Sequence, residues 1–272
     1  MTTCNQQALN LNITMAAANI DDVLQQLEAI IAESIQKNSR LGYFAALYYK
    51  VTAGVKAGIA KGQFENGPLM EKLDVIFASR YLDALNAWKA GQPVTNSWKI
   101  AFDATKDPSL LVLQHLFLGM SGHINLDLGI AAVEVSNGQL DAIHNDFDNI
   151  NTIISALTYQ VLNEIDRVSP LLSLLGLHAG NQTNILIQFS IDNARDGAWC
   201  FAEELATKKP GADFNACIAT RDETIFKLGG SLINNKGVIR FTIWLIHLFE
   251  WKNVSRIVKI MHEGVKAKIV VG

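Results

Sequence analysis

The sequence predicts an all-α fold, a single compact domain of about ten helices around a buried central helix at residues 110–135. Three observations carry that expectation. Apolar residues recur every three to four positions along most of the chain, the spacing that builds one helix face. No stretch alternates with period two for long, apart from the brief tail KIVVG at residues 268–272. Asn, Gly and Pro punctuate the periodic segments where helix ends favour them. With 49% hydrophobic and 18% charged residues among 272, the chain can fill a large core. Only 5 prolines and no Ser/Gly/Pro-rich run leave no linker to divide it. Residues 1–18 read as a flexible lead-in and 19–272 as the domain.

Asn19 is placed to cap IDDVLQQLEAIIAESIQK, where Ile20, Val23, Leu27 and Ile31 share a face and Asp21 and Asp22 meet the positive helix end. Leu41–Lys61 follows as a second, more apolar helix. Asn66-Gly67-Pro68 breaks the chain, and Pro68 suits the first turn of a third helix running to Gly91-Gln92-Pro93. A short helical piece spans Ser97–Thr105. Asp107 as cap and Pro108 at the first position are expected to start the central helix, closed after Val135 by Asn137-Gly138. Asp146–Val168 is the next long helix, stopped by Ser169-Pro170 and followed by the apolar LLSLLGLHAG. Asn184–Lys208 ends at Lys209-Pro210-Gly211. Asp213–Leu228 and Val238–Phe249 are expected as separate helices, divided by Gly229-Gly230 and Asn234–Gly237, and Asn253–Lys268 closes the chain.

Composition excludes several classes of function. A net charge of −3 and no basic run beyond two residues argue against a nucleic-acid partner. Cys4, Cys200 and Cys217 are far apart without metal-ligand spacing, and the N-terminus lacks a basic start and an apolar core, so a reducing cytoplasm is the expected compartment. Leu110–Val135 is long enough to span a bilayer, but its His, Asn and Asp would be costly in lipid. Phe241–Trp251 is half the required length. Both are expected as core helices, with no transmembrane segment.

The central stretch, LLVLQHLFLGMSGHINLDLGIAAVEV, carries Gln114, His115, His123, Asn125 and Asp127 in apolar surroundings. Buried imidazoles and carboxylates must be paired or used. On a regular helix His123 and Asp127 lie roughly 40° and ~6 Å apart, close enough to share an ion or a hydrogen bond. His115 lies about 12 Å from His123 along the axis, which makes it a group at the edge of the centre. Zinc or iron there would need further ligands, for which Asp83 and either Asp146 or Asp148 are candidates. The alternative is a buried His–Asp contact that ties helices together. Gly119, Ser121 and Gly122 suit a tight helix crossing or a pocket floor. Arg80, beside Tyr81 and Asp83, could clamp an anionic substrate or pair with an aspartate of the central helix. Arg195 and Trp199 are spaced to stack, or belong to a surface charge cluster. The sequence holds no G-x-S-x-G elbow, P-loop, H-E-x-x-H or dinucleotide fingerprint.

MEKLDVIFASRYLDAL, QHLFLGMSGHINLDLGIAA, DFDNIN and ARDGAW together resemble a family of bacterial proteins of unknown function, over about Phe44 to Arg256. H-I-N-x-D-L-G is the most specific element. The resemblance implies a soluble helical domain and gathers Arg80, Tyr81, Asp83, His115, His123, Asn125, Asp127 and Asp146 into one pattern, without naming a reaction.

Three functional expectations follow. The first is a soluble enzyme acting on a small, largely apolar molecule in a central pocket, a metal-dependent hydrolase or oxygenase. His123, Asp127 and His115 would be its catalytic residues, and Asp83, His123, Asp127 and Asp146 its zinc or iron ligands. Arg80, Tyr81, Asn125 and Arg195 would bind the substrate. The second is a metal-free cyclase or isomerase using His123 as acid–base. The third is a non-catalytic binding or scaffold protein whose buried polar network fixes the fold.

Overall fold

The computed structural model describes residues 16–178 and 191–264, and among them every regular element is a helix. In chain order these are α1 (Ile20–Lys37), α2 (Leu41–Ala60), α3 (Gly67–Lys89), α4 (Asn96–Ala104) and α5 (Val112–Gly122). A π-helical turn, His123–Asp127, leads into α6 (Leu128–Ser136). A 3₁₀ turn (Leu140–Ile143), α7 (His144–Val168) and a second 3₁₀ turn (Leu172–His178) follow. α8 (Ile191–Ala206), α9 (Ala212–Ile233), α10 (Gly237–Phe249) and α11 (Val254–Glu263) complete the order. Most of the lead-in, the start expected at Asn184 and the tail from residue 265 lie outside the described residues.

Asn19 is the cap that the sequence predicts, and Asn66 and Asn253 cap their helices in the same way. Asn19 accepts from the Asp22 amide at 2.9 Å, Asn66 from Leu69 at 3.1 Å and Asn253 from Arg256 at 2.9 Å. The central helix begins differently. Asp107 closes a local turn, accepting from the Ser109 amide and hydroxyl, and α5 starts at Val112. Its orphan amides find other acceptors: Leu111 N–H donates to Gln114 and Val112 N–H to Glu250, a carboxylate from beyond α10. The Gly229-Gly230 pair does not divide a helix either. α9 runs through it, and Gly229 packs against Ile100 and Leu118, where an added Cβ would lie 3.3 Å from each.

The central segment α5–π turn–α6 is enclosed by α2, α3, α4, α8 and α9. It is the one described helix long and apolar enough to cross a membrane, and 94% of that window is buried inside the protein. Close approach sets the glycines. A Cβ on Gly119 would lie 2.5 Å from the Phe44 ring, and one on Gly129 would lie 2.7 Å from Phe201. Gly122 meets only ordinary contacts, so the tight crossing is at Gly119.

The expectation for Phe241–Trp251 needs correction. α10 buries Thr242, Ile243 and Ile246 but exposes Val238, Phe241, Trp244, Leu248 and Phe249. A helix apolar all round reads as buried from sequence, yet here half of its circumference faces outward.

Candidate functional site: the π turn at His123–Asp127

The polar residues of the central helix fall on an irregularity of its backbone. Leu128 N–H bonds back to the His123 carbonyl, five residues earlier, so the turn holds one residue more than an α-turn. Inside it the Asn125 carbonyl accepts 2.9 Å from Arg221 Nε of α9, whose Nη2 also reaches the Gly197 carbonyl at 3.0 Å. A long side chain from a neighbouring helix therefore holds the widened turn in place.

Asp127 is buried and fully engaged. Its Oδ1 accepts 2.9 Å from Arg80 Nε of α3, and its Oδ2 accepts 2.8 Å from Trp98 Nε1 of α4. One carboxylate thus joins the central helix to two others. α4 is itself anchored, since the buried Asp222 of α9 accepts from the Asn96 and Ser97 amides at its first turn.

His123 stands apart from this hydrogen bonding. Its Nδ1 lies 3.6 Å from Asp127 Oδ2, beyond hydrogen-bond range. The ring stacks on Phe77 with centroids 3.6 Å apart and planes 5° from parallel, and Tyr48 meets it edge-on at 4.4 Å. Phe44, Tyr81 and Trp98 close the remaining sides. Neither ring nitrogen has a hydrogen-bond partner within the protein. Burial pulls the imidazole pKa below its ordinary value, although Asp127 acts in the opposite direction.

His115 is likewise buried without a partner at either nitrogen. Burial, then the nearby Arg40 charge, brings its pKa down to about 4. It lines a small cavity of about 20 Å³ with Arg40, Phe44, Tyr81, Trp98 and Gly119, room for about one water molecule. Sequence reasoning missed Asp74. This α3 carboxyl is buried, and burial, then Glu71, raises its pKa to about 8, so it is protonated at neutral pH. Burial also pushes the Tyr48 phenol upward, with Asp74 the next cause. The signal was present: Asp74 lies within the stripe Met70, Leu73, Phe77, Tyr81, an acid in an otherwise apolar face.

The expected metal ligands are not brought together. Asp83 is exposed, and Asp146 accepts from the Glu65 and Asn66 amides at 2.7 and 2.8 Å, bracing the entry to α3. Among the described residues no three His, Cys, Asp or Glu side chains gather around a common point. The expected substrate group is dispersed as well. Arg80 takes its ion-pair alternative with Asp127, and Tyr81 is buried in the aromatic cage. Asn125 contributes its backbone carbonyl to Arg221. Arg195, expected to stack on Trp199 or lie in a surface cluster, is buried over the Phe147 ring at 4.7 Å and donates to the Phe147 carbonyl. Trp199 packs instead on His144 and Phe147.

A second feature lies at the surface. α8 and α9 flank a groove of about 520 Å³, lined by Phe201, Glu204, Lys208, Asp213, Thr220 and Arg221 among others. Arg221 is common to the groove and to the π turn, and its guanidinium lies 5.3 Å over the Phe201 ring.

No curated protein and no solved structure matches the chain. Residues 20–235, the segment from α1 through α9, match a family of unknown function, so that the chain belongs to that family, DUF5995.

Proposed function

We propose that this protein acts by binding, and that the His123–Asp127 centre locks the fold instead of carrying out chemistry. The engagement of Asp127 carries this reading: both oxygens are held by Arg80 and Trp98, and neither orients the His123 ring. A general base needs its substrate within hydrogen-bond reach, whereas the His123 ring is enclosed by five aromatic side chains. The cavity lined by three of them has room for about one water, not a substrate.

The groove between α8 and α9 is of ligand size, within the roughly 300–1,000 Å³ of small-molecule sites. Glu204, Lys208, Asp213 and Arg221 line it, Glu204 and Lys208 lying 3.7 Å apart as an ion pair, and this charged lining suits a small polar ligand better than the apolar molecule expected from sequence. A ligand engaging Arg221 would meet the same guanidinium that holds the π turn. We place the protein in a reducing cytoplasm because its three cysteines are scattered.

A thermal-shift screen with amino acids, dicarboxylates and sugar phosphates tests the reading, using wild type and Ala216→Trp, which fills the groove. The expected result is a ligand that raises Tm in wild type and not in Ala216→Trp. Stabilisation that survives Ala216→Trp and is lost in Tyr48→Phe or His123→Gln would return the site to the core.

A further inference from the structure

α10 is a 13-residue helix with two unlike faces. At about 100° per residue, Thr242, Ile243 and Ile246 face the protein, and Phe241, Trp244, Leu248, Phe249 and Val238 occupy an outward arc of roughly 140°. Each of these five is more than half exposed, and the Phe241 and Trp244 rings touch with centroids 5.6 Å apart. Scattered apolar side chains on a surface need no explanation, but a continuous stripe of five along a helix about 20 Å long does.

Charge identifies the occupant. Between Asn234 and Arg256 the exposed charged side chains are Lys236, Arg240, Lys252 and Arg256, all cationic, in a chain whose net charge is −3. The one acid in this stretch, Glu250, is buried and accepts from the Val112 amide and the Ser169 hydroxyl. The neighbouring acid outside it, Asp107, is held in its own turn by Ser109. Lys236 and Lys252 lie just beyond the two ends of α10, and Arg240 lies at the rim of the apolar arc. A helix lying flat in a bilayer interface places its groups this way, with aromatic and aliphatic side chains below the headgroups and cations among them.

We infer that α10 docks this protein onto an anionic lipid surface through Phe241, Trp244, Leu248 and Phe249, with Lys236, Arg240 and Lys252 contacting the headgroups. A second copy fits less well. A two-fold pairing centred on Trp244 sets Lys236 of one copy beside Lys252 of the other, like charge against like. α10 also lies beyond the segment that matches the family, so this surface is a property read from this chain. The inference is independent of the groove between α8 and α9.

Co-sedimentation of the full chain with phosphatidylcholine vesicles, with and without 30% phosphatidylglycerol, at about 25 and 300 mM salt, tests it. Binding is expected to the anionic vesicles at low salt, with a fall at high salt. Lys236→Gln/Arg240→Gln/Lys252→Gln is expected to weaken it by about a hundredfold, at roughly fivefold per charge. Phe241→Ser/Trp244→Ser is expected to abolish binding, and because both side chains are exposed its Tm should match wild type. Absence of binding at low salt overturns the inference, as does binding that either variant leaves unchanged. A dimer in sedimentation equilibrium that Phe241→Ser/Trp244→Ser dissociates, without vesicle binding, overturns it in favour of a second copy.

Discussion

His123 lies face to face with Phe77, ring centroids 3.6 Å apart and planes 5° from parallel, so the imidazole is packed as an aromatic ring. Its nitrogens make no hydrogen bond, and a buried polar group in that state costs about 1–3 kcal/mol. Phenylalanine removes that cost and adds a modest steric one. His123→Phe is therefore expected to stay within about 1 kcal/mol of wild type or exceed it, measured by urea unfolding. A loss well above about 3 kcal/mol would mean that the imidazole makes an interaction that packing does not explain.

His115 should make the fold acid-sensitive. Its pKa of about 4 in the folded state lies below the ordinary 6.5, so between these values the unfolded chain binds a proton that the folded one does not. The contribution is fully present above pH 6.5 and is lost as pH falls toward 4, amounting to roughly 3 kcal/mol. Tm measured from pH 7.5 to 4 should fall less steeply for His115→Leu than for wild type. Parallel curves would remove His115 as the cause.

Asp74 works in the opposite direction over an overlapping range. Its folded pKa of about 8 exceeds the ordinary 3.8, so the folded chain keeps a proton that the unfolded chain releases, and stability falls as pH rises from 4 to 8. Asp74→Asn cannot ionise. It should match wild type near pH 4 and exceed it by roughly 5 kcal/mol at pH 8, by urea unfolding. Equal stability at both pH values would show that Asp74 is ionised in the folded state.

Local chemistry was legible in the sequence where it is local in the structure. Asn19, Asn66 and Asn253 cap helices because the acceptor and the orphan amide lie three residues apart. The start of α5 was misplaced because its amide is satisfied by Glu250, 138 residues away, a partner that no local pattern announces. The importance of Asp127 and its pairing with Arg80 could be read from an acid in an apolar run and a cation in another. The π turn could not be read, since Arg221 holds it from a different helix. Whether Asp83 and Asp146 converge on the centre cannot be read from residue type and helix face, because the fold turns one outward and gives the other to the Glu65 and Asn66 amides. The outward face of α10 was hidden because its inward and outward residues are equally apolar.

On the proposed reading Asp127 serves the fold, as the acceptor that joins the central helix to Arg80 and Trp98. Urea unfolding of Asp127→Ala tests it most directly. Removing the buried acid leaves the part-exposed Arg80 and the buried Trp98 Nε1 without their acceptor and is expected to cost about 2–4 kcal/mol. A variant as stable as wild type, or more stable, would contradict the claim and mark Asp127 as a residue kept for chemistry at the expense of stability.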